Sequence, residues 1–331
     1  MKVLVLGGTR FIGRHLVTAC LDRGDEVTVL HRGQSPSPFG NLVRDVLTDR
    51  RTPTPEAVRV LAKSWDAVLD TSANDVDDLR AVSGMLGPVG RYLMLSTCGV
   101  YRRVPGQHTT ITERSATIHA DPVNPVRASA SRKLRCERFL RRRLDRARTP
   151  WLIARLGLVV GTYDHTQRLA YWLQRVMRSG DALVPMEPAQ PLHLVDALDV
   201  AQFLRHAMDK GLSQVVNVAG PPITARDLID CLFGLADTAP TPCWIAEDFA
   251  LAHSVRPWTE VPLWLPRSSP ERALMSVSSA HAQSSGLTYR PLTDTLADCL
   301  AWQRVEPTRS AQWLDPEREQ HLLALWRETQ Q

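Results

Sequence analysis

The chain has 331 residues, enough for one large α/β domain with a smaller attached lobe and a sizeable buried core. Apolar residues make up 44% and charged residues 23%, the balance of a globular protein rather than a disordered one. The formal charge of +5 suits a phosphate-bearing ligand without marking a nucleic-acid binder, and no stretch reaches the roughly 18 apolar residues of a membrane span.

In chain order, apolar β-branched runs at 2–6, 26–30, 67–70, 91–96, 151–158 and 214–218 read as strands. Helical patterns at 12–23, 56–63, 76–85, 129–146 and 197–209 lie between most of them. Such alternation predicts βαβ units and a mostly parallel, doubly wound α/β sheet whose strands are buried on both faces. After Gly220 the texture changes, with proline and tryptophan frequent, as in Pro262-Leu263-Trp264-Leu265-Pro266. The expected division is a dinucleotide-binding domain of residues 1–161 and 193–219, and a substrate lobe of residues 162–192 and 220–331. A last helix is expected at 316–329, capped by Asp315 with Pro316 at its first position.

The apolar run Val3 to Leu6 is too short for a signal peptide, and six cysteines without a Cys-x-x-Cys pair read as reduced thiols of a cytoplasmic protein. No histidine cluster stands at metal spacing, so no metal is expected.

The first strand runs into Gly7-Gly8-Thr9-Arg10-Phe11-Ile12-Gly13 and then a helix. Glycines at this point let the backbone approach a pyrophosphate, which sits on the helix N-terminus. A carboxylate at the end of the second strand would bond an NAD ribose. Here His31 and Arg32 stand instead. Arg32 and Arg10, inside the turn, suit a ribose 2′-phosphate, because guanidinium forks match phosphate geometry. The expected cofactor is therefore NADP(H).

These residues resemble the extended or atypical short-chain dehydrogenases/reductases of the NAD-dependent epimerase/dehydratase group. Ser96-Thr97-Cys98-Gly99-Val100-Tyr101, Arg155-Leu156-Gly157-Leu158-Val159-Val160-Gly161 and His193-Leu194-Val195-Asp196 resemble later segments of that family in order. The resemblance implies a Rossmann fold, a Thr97 hydroxyl that polarises the reacting oxygen, and a Lys133 that holds the nicotinamide ribose. It also implies a tyrosine four residues before that lysine as proton donor. Ser129 stands there, shorter by a whole ring and a far weaker acid. Tyr163 or His165, on the loop after the sixth strand, is the expected substitute, with Tyr101 and Tyr171 as further candidates. Arg168, Tyr171 and Trp172 follow on a helix that, by its order in the chain, faces the substrate.

Nine Arg or Lys residues lie between Arg132 and Arg148, but Leu134, Phe139, Leu140 and Leu144 give that helix one apolar stripe. It reads as an amphipathic helix with a solvated arginine face, not a nucleic-acid site, and the resemblance implies a homodimer through it. The tryptophans of the second half are weighed as packing groups before pocket walls. The expected activity is reduction, or the reverse oxidation, of a C=O or C=N group on a small metabolite. The alternatives are a redox-neutral epimerase, cyclase or lyase, and a non-catalytic NADP(H) sensor.

Overall fold

The structure is a computed structural model that describes residues 1–103, 110–118, 125–237, 240–308 and 310–330. The first half alternates β1 (Lys2–Leu6), α1 (Phe11–Leu21), β2 (Glu26–His31), β3 (Arg44–Leu47), α2 (Pro55–Leu61), β4 (Ala67–Asp70), α3 (Val76–Ser83), β5 (Tyr92–Thr97), α4 (Pro125–Ala147) and β6 (Trp151–Leu156). There follow β7 (Leu158–Val160), α5 (Ala170–Val176), β8 (Asp181–Val184), β9 (Pro191–Leu192), β10 (Leu194–Asp196), α6 (Ala197–Asp209) and β11 (Gln214–Val218). The remainder holds β12 (Ile223–Thr224), α7 (Ala225–Gly234), β13 (Thr241–Trp244), α8 (Glu247–Ala252), α9 (Ala280–Ser284), α10 (Leu292–Val305) and α11 (Pro316–Glu328).

Seven parallel strands form one sheet in the order β11-β6-β5-β4-β1-β2-β3. Alternate residues of each strand feed two cores. Val3 and Val5 pack under α1 and α6, while Leu4 and Leu6 pack under α2, α3 and α4. The chain reverses direction across the sheet between β1 and β4, and a crevice opens at the carboxyl ends there.

Three local outcomes differ from the sequence pattern. The expected strand 151–158 breaks at Gly157, where a Cβ would stand 2.8 Å from that of Ala219. Its second part, β7, leaves the sheet to pair with β10. The edge strand β3 buries only Val46, too little to register as an apolar run. The helix expected from Ser129 begins at Pro125.

The lobe has its own core of α5, β8, α7, α10 and α11 around Trp172 and Trp264, both fully buried. Asp315 accepts the N–H groups of Glu317 and Arg318, capping α11 as expected. The segment around Ala282 and Leu287, sequentially in the lobe, packs instead on the sheet core with α6. No helix of the described residues is long and apolar enough to cross a membrane. Nor does any described group of three His, Cys, Asp or Glu side chains stand at metal-binding separations.

Candidate active site

The crevice at the switch point has a volume of about 610 Å³ and is lined by residues 7–13, Arg32, Ser35, Arg50, Thr71, Ser72, Leu95 and His165, among others. Gly7 and Gly8 have φ of +102° and +93°, values that favour glycine. A Cβ on Gly13 would stand 2.9 Å from Gly8 Cα, so the turn and α1 pack closer than any side chain permits. Arg10 is the N-cap of α1, makes no side-chain cap, and no acidic residue occupies the first turn. The first N–H groups of the helix and its positive dipole end therefore face the crevice uncompensated.

Beside this turn the Arg10 guanidinium donates to Ser35 Oγ and, at 3.5 Å, to the Gln34 carbonyl. The Arg10 side chain is thus folded over the loop that follows β2. His31 is buried, accepts the Gly33 N–H at Nδ1 and turns Nε2 towards Asp45 at 3.3 Å. Of the four arginines lining the crevice, Arg51 is paired with Asp78 and Arg50 with Asp70. Arg10 and Arg32 have no carboxylate partner among the described residues.

The Arg50–Asp70 pair is the floor of the site. Asp70 is fully buried and accepts both Arg50 terminal nitrogens, at 2.9 and 3.0 Å. It also accepts the Tyr92 hydroxyl at 2.9 Å and the N–H groups of Ser72 and Ala73. Against the cost of burial, Arg50 and these donors hold its carboxyl below the usual range. Thr71 and Ser72 in turn donate to the Leu6 carbonyl, so the wall facing Gly7 is rigidly tied. Sequence reasoning missed this cluster. Its members lie 20 residues apart, and no local spacing announces the pair.

Lys133 reaches the same wall. Its Nζ donates to Ala73 O at 2.6 Å and to Leu95 O at 3.1 Å, and burial pushes its ammonium below the usual lysine range. One helical turn further along α4, Glu137 is buried, accepts the Ser96 hydroxyl at 2.5 Å and forks onto Arg155 of β6 at 2.6 and 3.1 Å. That network seats α4 against β5 and β6 and so fixes Lys133 relative to Thr97. Thr97 ends β5, and its Oγ1 accepts the Gly99 N–H at 3.0 Å. Ser129 is exposed on α4, four residues before Lys133.

All five tyrosines of the chain are committed away from the crevice. Tyr92 is bound to Asp70. Tyr101 is buried, donates to Asn217, and burial pushes its hydroxyl up to about 12. Tyr171 is held in the lobe core by Trp172 and Trp313, its hydroxyl likewise raised by burial. Tyr289 donates to the Ala219 carbonyl at 2.8 Å. Tyr163 lines a separate cavity of about 280 Å³ with His15 and Asp196. Its φ of 65° turns the ring back onto α1, with the Arg14 guanidinium 3.6 Å above the ring centre. His165 is the residue of this loop that lines the crevice, its ring edge-on to Phe11 at 6.2 Å. Trp172 is buried and donates to Pro262 O, so it packs the lobe instead of facing a substrate. The arginines of α4 lie mostly on its exposed face, with Leu134, Leu140 and Leu144 turned to the sheet.

Comparison with known proteins bears on this geometry. The model of the NAD-dependent epimerase/dehydratase family matches residues 3–219. The chain is similar to a 41 kDa chloroplast stem-loop binding protein of Arabidopsis thaliana, 21% identical over 68% of this chain and 60% of that one. It is also similar to 2′-dehydrokanamycin reductase of Streptomyces kanamyceticus, 27% identical over 70% of this chain and 65% of that one. The matches thus span less than two thirds of either relative's length. Among solved structures, UDP-glucose 4-epimerase of Thermus thermophilus in complex with NAD has the same fold. It superposes with a TM-score of 0.65 at 20% identity, over 92% of this chain and 99% of that one. With a family match over most of the chain and a Rossmann sheet carrying its glycine turn at the switch point, the protein belongs to the NAD-dependent epimerase/dehydratase family.

Proposed function

We propose that the crevice takes NADP(H) and that the protein reduces, or in reverse oxidises, a C=O or C=N group of a small metabolite. The observation that carries the cofactor choice is the pair Arg10 and Arg32. Both guanidiniums line the crevice without a carboxylate partner among the described residues, beside the end of β2, where His31 stands in the place of an acid. The similarity to an enzyme named as a reductase supports redox chemistry.

On this reading residues 7–13 and the α1 N-terminus hold the pyrophosphate, and Arg10 and Arg32 hold the 2′-phosphate. Lys133, fixed at the Ala73 and Leu95 carbonyls, offers its remaining N–H to the ribose hydroxyls. The reduced nicotinamide, when bound, supplies the hydride. Thr97 already accepts from Gly99, which leaves its own O–H free to donate to the substrate oxygen. With every phenol committed elsewhere, the proton reaches that oxygen from water ordered at Ser129. Tyr163 serves the site indirectly, by seating the loop after β7 on α1.

The test follows nicotinamide absorbance while the protein and NADPH meet a panel of keto sugars and cyclic ketones. Oxidation of NADPH that depends on the carbonyl, and is lost in Lys133→Met, supports the reading. Isomerisation or elimination with the cofactor unchanged would instead support a redox-neutral epimerase or lyase, the reading that Ser129 favours. A folded chain that binds NADPH and turns over nothing on the panel would favour the sensor.

A further inference from the structure

The loop that leaves β7 crosses from the lobe onto the first turn of α1, and its attachments lie on both sides of that turn. Thr162 meets His15 Nε2 through its carbonyl at 3.3 Å and its hydroxyl at 3.2 Å. Tyr163 packs beneath Arg14 and edge-on to Trp302, and His165 stands edge-on to Phe11. The backbone between them is strained: Tyr163 and Gln167 have φ of 65° and 63°, each a conformation costing about 1–3 kcal/mol for a non-glycine residue. Asp164 closes the tip by accepting the Thr166 N–H at 2.8 Å and its hydroxyl at 2.6 Å. Strain held by so many attachments marks a segment whose position is fixed for a purpose other than its own stability.

Charge says what that purpose is. His165 faces the crevice within the field of Arg10 from the glycine turn and Arg168 from its own loop. Burial and the two guanidiniums hold its imidazole below the usual range, with Asp164 alone opposing them. Arg168 is itself pushed down by burial, again with only Asp164 acting the other way. Asp164 accepts both Thr166 groups with one oxygen, and its other oxygen is buried without a partner. His165 is therefore held by geometry at the crevice, edge-on to Phe11 in the first turn of α1, with Arg168 three residues further along the same loop and Asp164 the one carboxylate acting against them. A doubly charged pyrophosphate on the uncompensated N-terminus of α1 is the anion that this side of the crevice fits.

We infer that residues 162–168 form a fixed strap that adds His165, backed by Arg168, to the pyrophosphate ligands supplied by the glycine turn. The inference rests on the dinucleotide reading of the crevice and extends it to residues outside the turn. It separates two phosphate subsites: Arg10 and Arg32 at the ribose, His165 and Arg168 at the bridge.

Dissociation constants for NADPH, NADH and adenosine 2′-monophosphate, which carries the ribose phosphate and neither phosphate of the bridge, test it in the full chain and in His165→Gln/Arg168→Gln. Both dinucleotides should weaken by the same factor, about tenfold, while the 2′-monophosphate binds as before. Arg168→Lys, which keeps the charge, should recover most of the loss, and an unchanged melting temperature shows that the strap still folds. Binding of both dinucleotides within twofold of the unsubstituted chain overturns the inference. So does a loss confined to turnover, because His165 would then be acting on the substrate. If the unsubstituted chain binds no dinucleotide while folded, the proposed function fails and the strap's role with it.

Discussion

The two ends of the crevice are built to different standards. At the phosphate end, backbone N–H groups, four lining arginines and a saturated Asp70 converge on one small volume. Behind Leu95, at the other side, Lys133 and Thr97 are held at fixed carbonyl and amide partners, yet none of the five tyrosines lines the crevice and Ser129 is exposed. The difference teaches that holding a dinucleotide and moving a proton are separable tasks in this fold. The first depends on backbone geometry and fixed charge. The second, on the proposed reading, depends on the side chain that stands four residues before Lys133, which the first does not use.

Asp70→Asn attacks the better-built end. It leaves the Arg50 guanidinium buried beside a neutral amide, and breaking such a pair costs about 3–5 kcal/mol. Urea unfolding should show that loss, and cofactor affinity should fall with it because the 71–73 wall is released. Stability within about 1 kcal/mol of the unsubstituted chain would mean that the floor is not held by this pair.

Ser129→Tyr attacks the other end by placing a phenol four residues before Lys133. The position is exposed on α4 and four residues from Lys133, so the ring meets no buried neighbour. Turnover on any substrate found should rise about tenfold or more with cofactor affinity unchanged, since general acid catalysis contributes roughly 10²–10⁴ where it is present. Unchanged or lower turnover would show that the proton already has an efficient route.

The smallest effect is expected outside the crevice, where α6 meets the start of α10. Burial, aided by the neighbouring Asp196, raises the Asp199 carboxyl to about 6 against the opposing Arg290. A carboxyl whose value is raised on folding supports stability below the unfolded value and loses that support as pH rises through the folded one. Asp199→Asn should therefore stabilise the protein at pH 8 by roughly 1 kcal/mol after solvent screening, and change little at pH 4. Thermal melts at the two pH values give the comparison. Equal shifts at both would contradict a titration origin.

Much of this was legible along the chain. The glycine turn is contiguous, and its neighbours Arg10 and Arg32 are fixed by strand and turn geometry within a few residues. Lys133 was named through the family resemblance, and the structure ties its ammonium to the Ala73 and Leu95 carbonyls. What stayed hidden depends on contacts between distant segments. Asp70 reads as the end of an apolar strand, and only folding brings Arg50 to it. Tyr163 sits next to the crevice in sequence order, but its positive φ and the Arg14 stack aim it elsewhere. Trp172 lies on a helix whose outer face the sequence could not tell from its inner one, and it packs inward. The short β3 escaped because an edge strand with a single buried residue has no apolar period to detect.

The central claim is that the crevice prefers NADP(H) through Arg10 and Arg32. Fluorescence titration of NADPH and NADH against the unsubstituted protein and Arg10→Gln/Arg32→Gln tests it most directly. The expected result is tighter binding of NADPH by the unsubstituted chain, with that preference falling about 10- to 100-fold in the double variant while NADH affinity holds. Equal or tighter binding of NADH by the unsubstituted protein would contradict it.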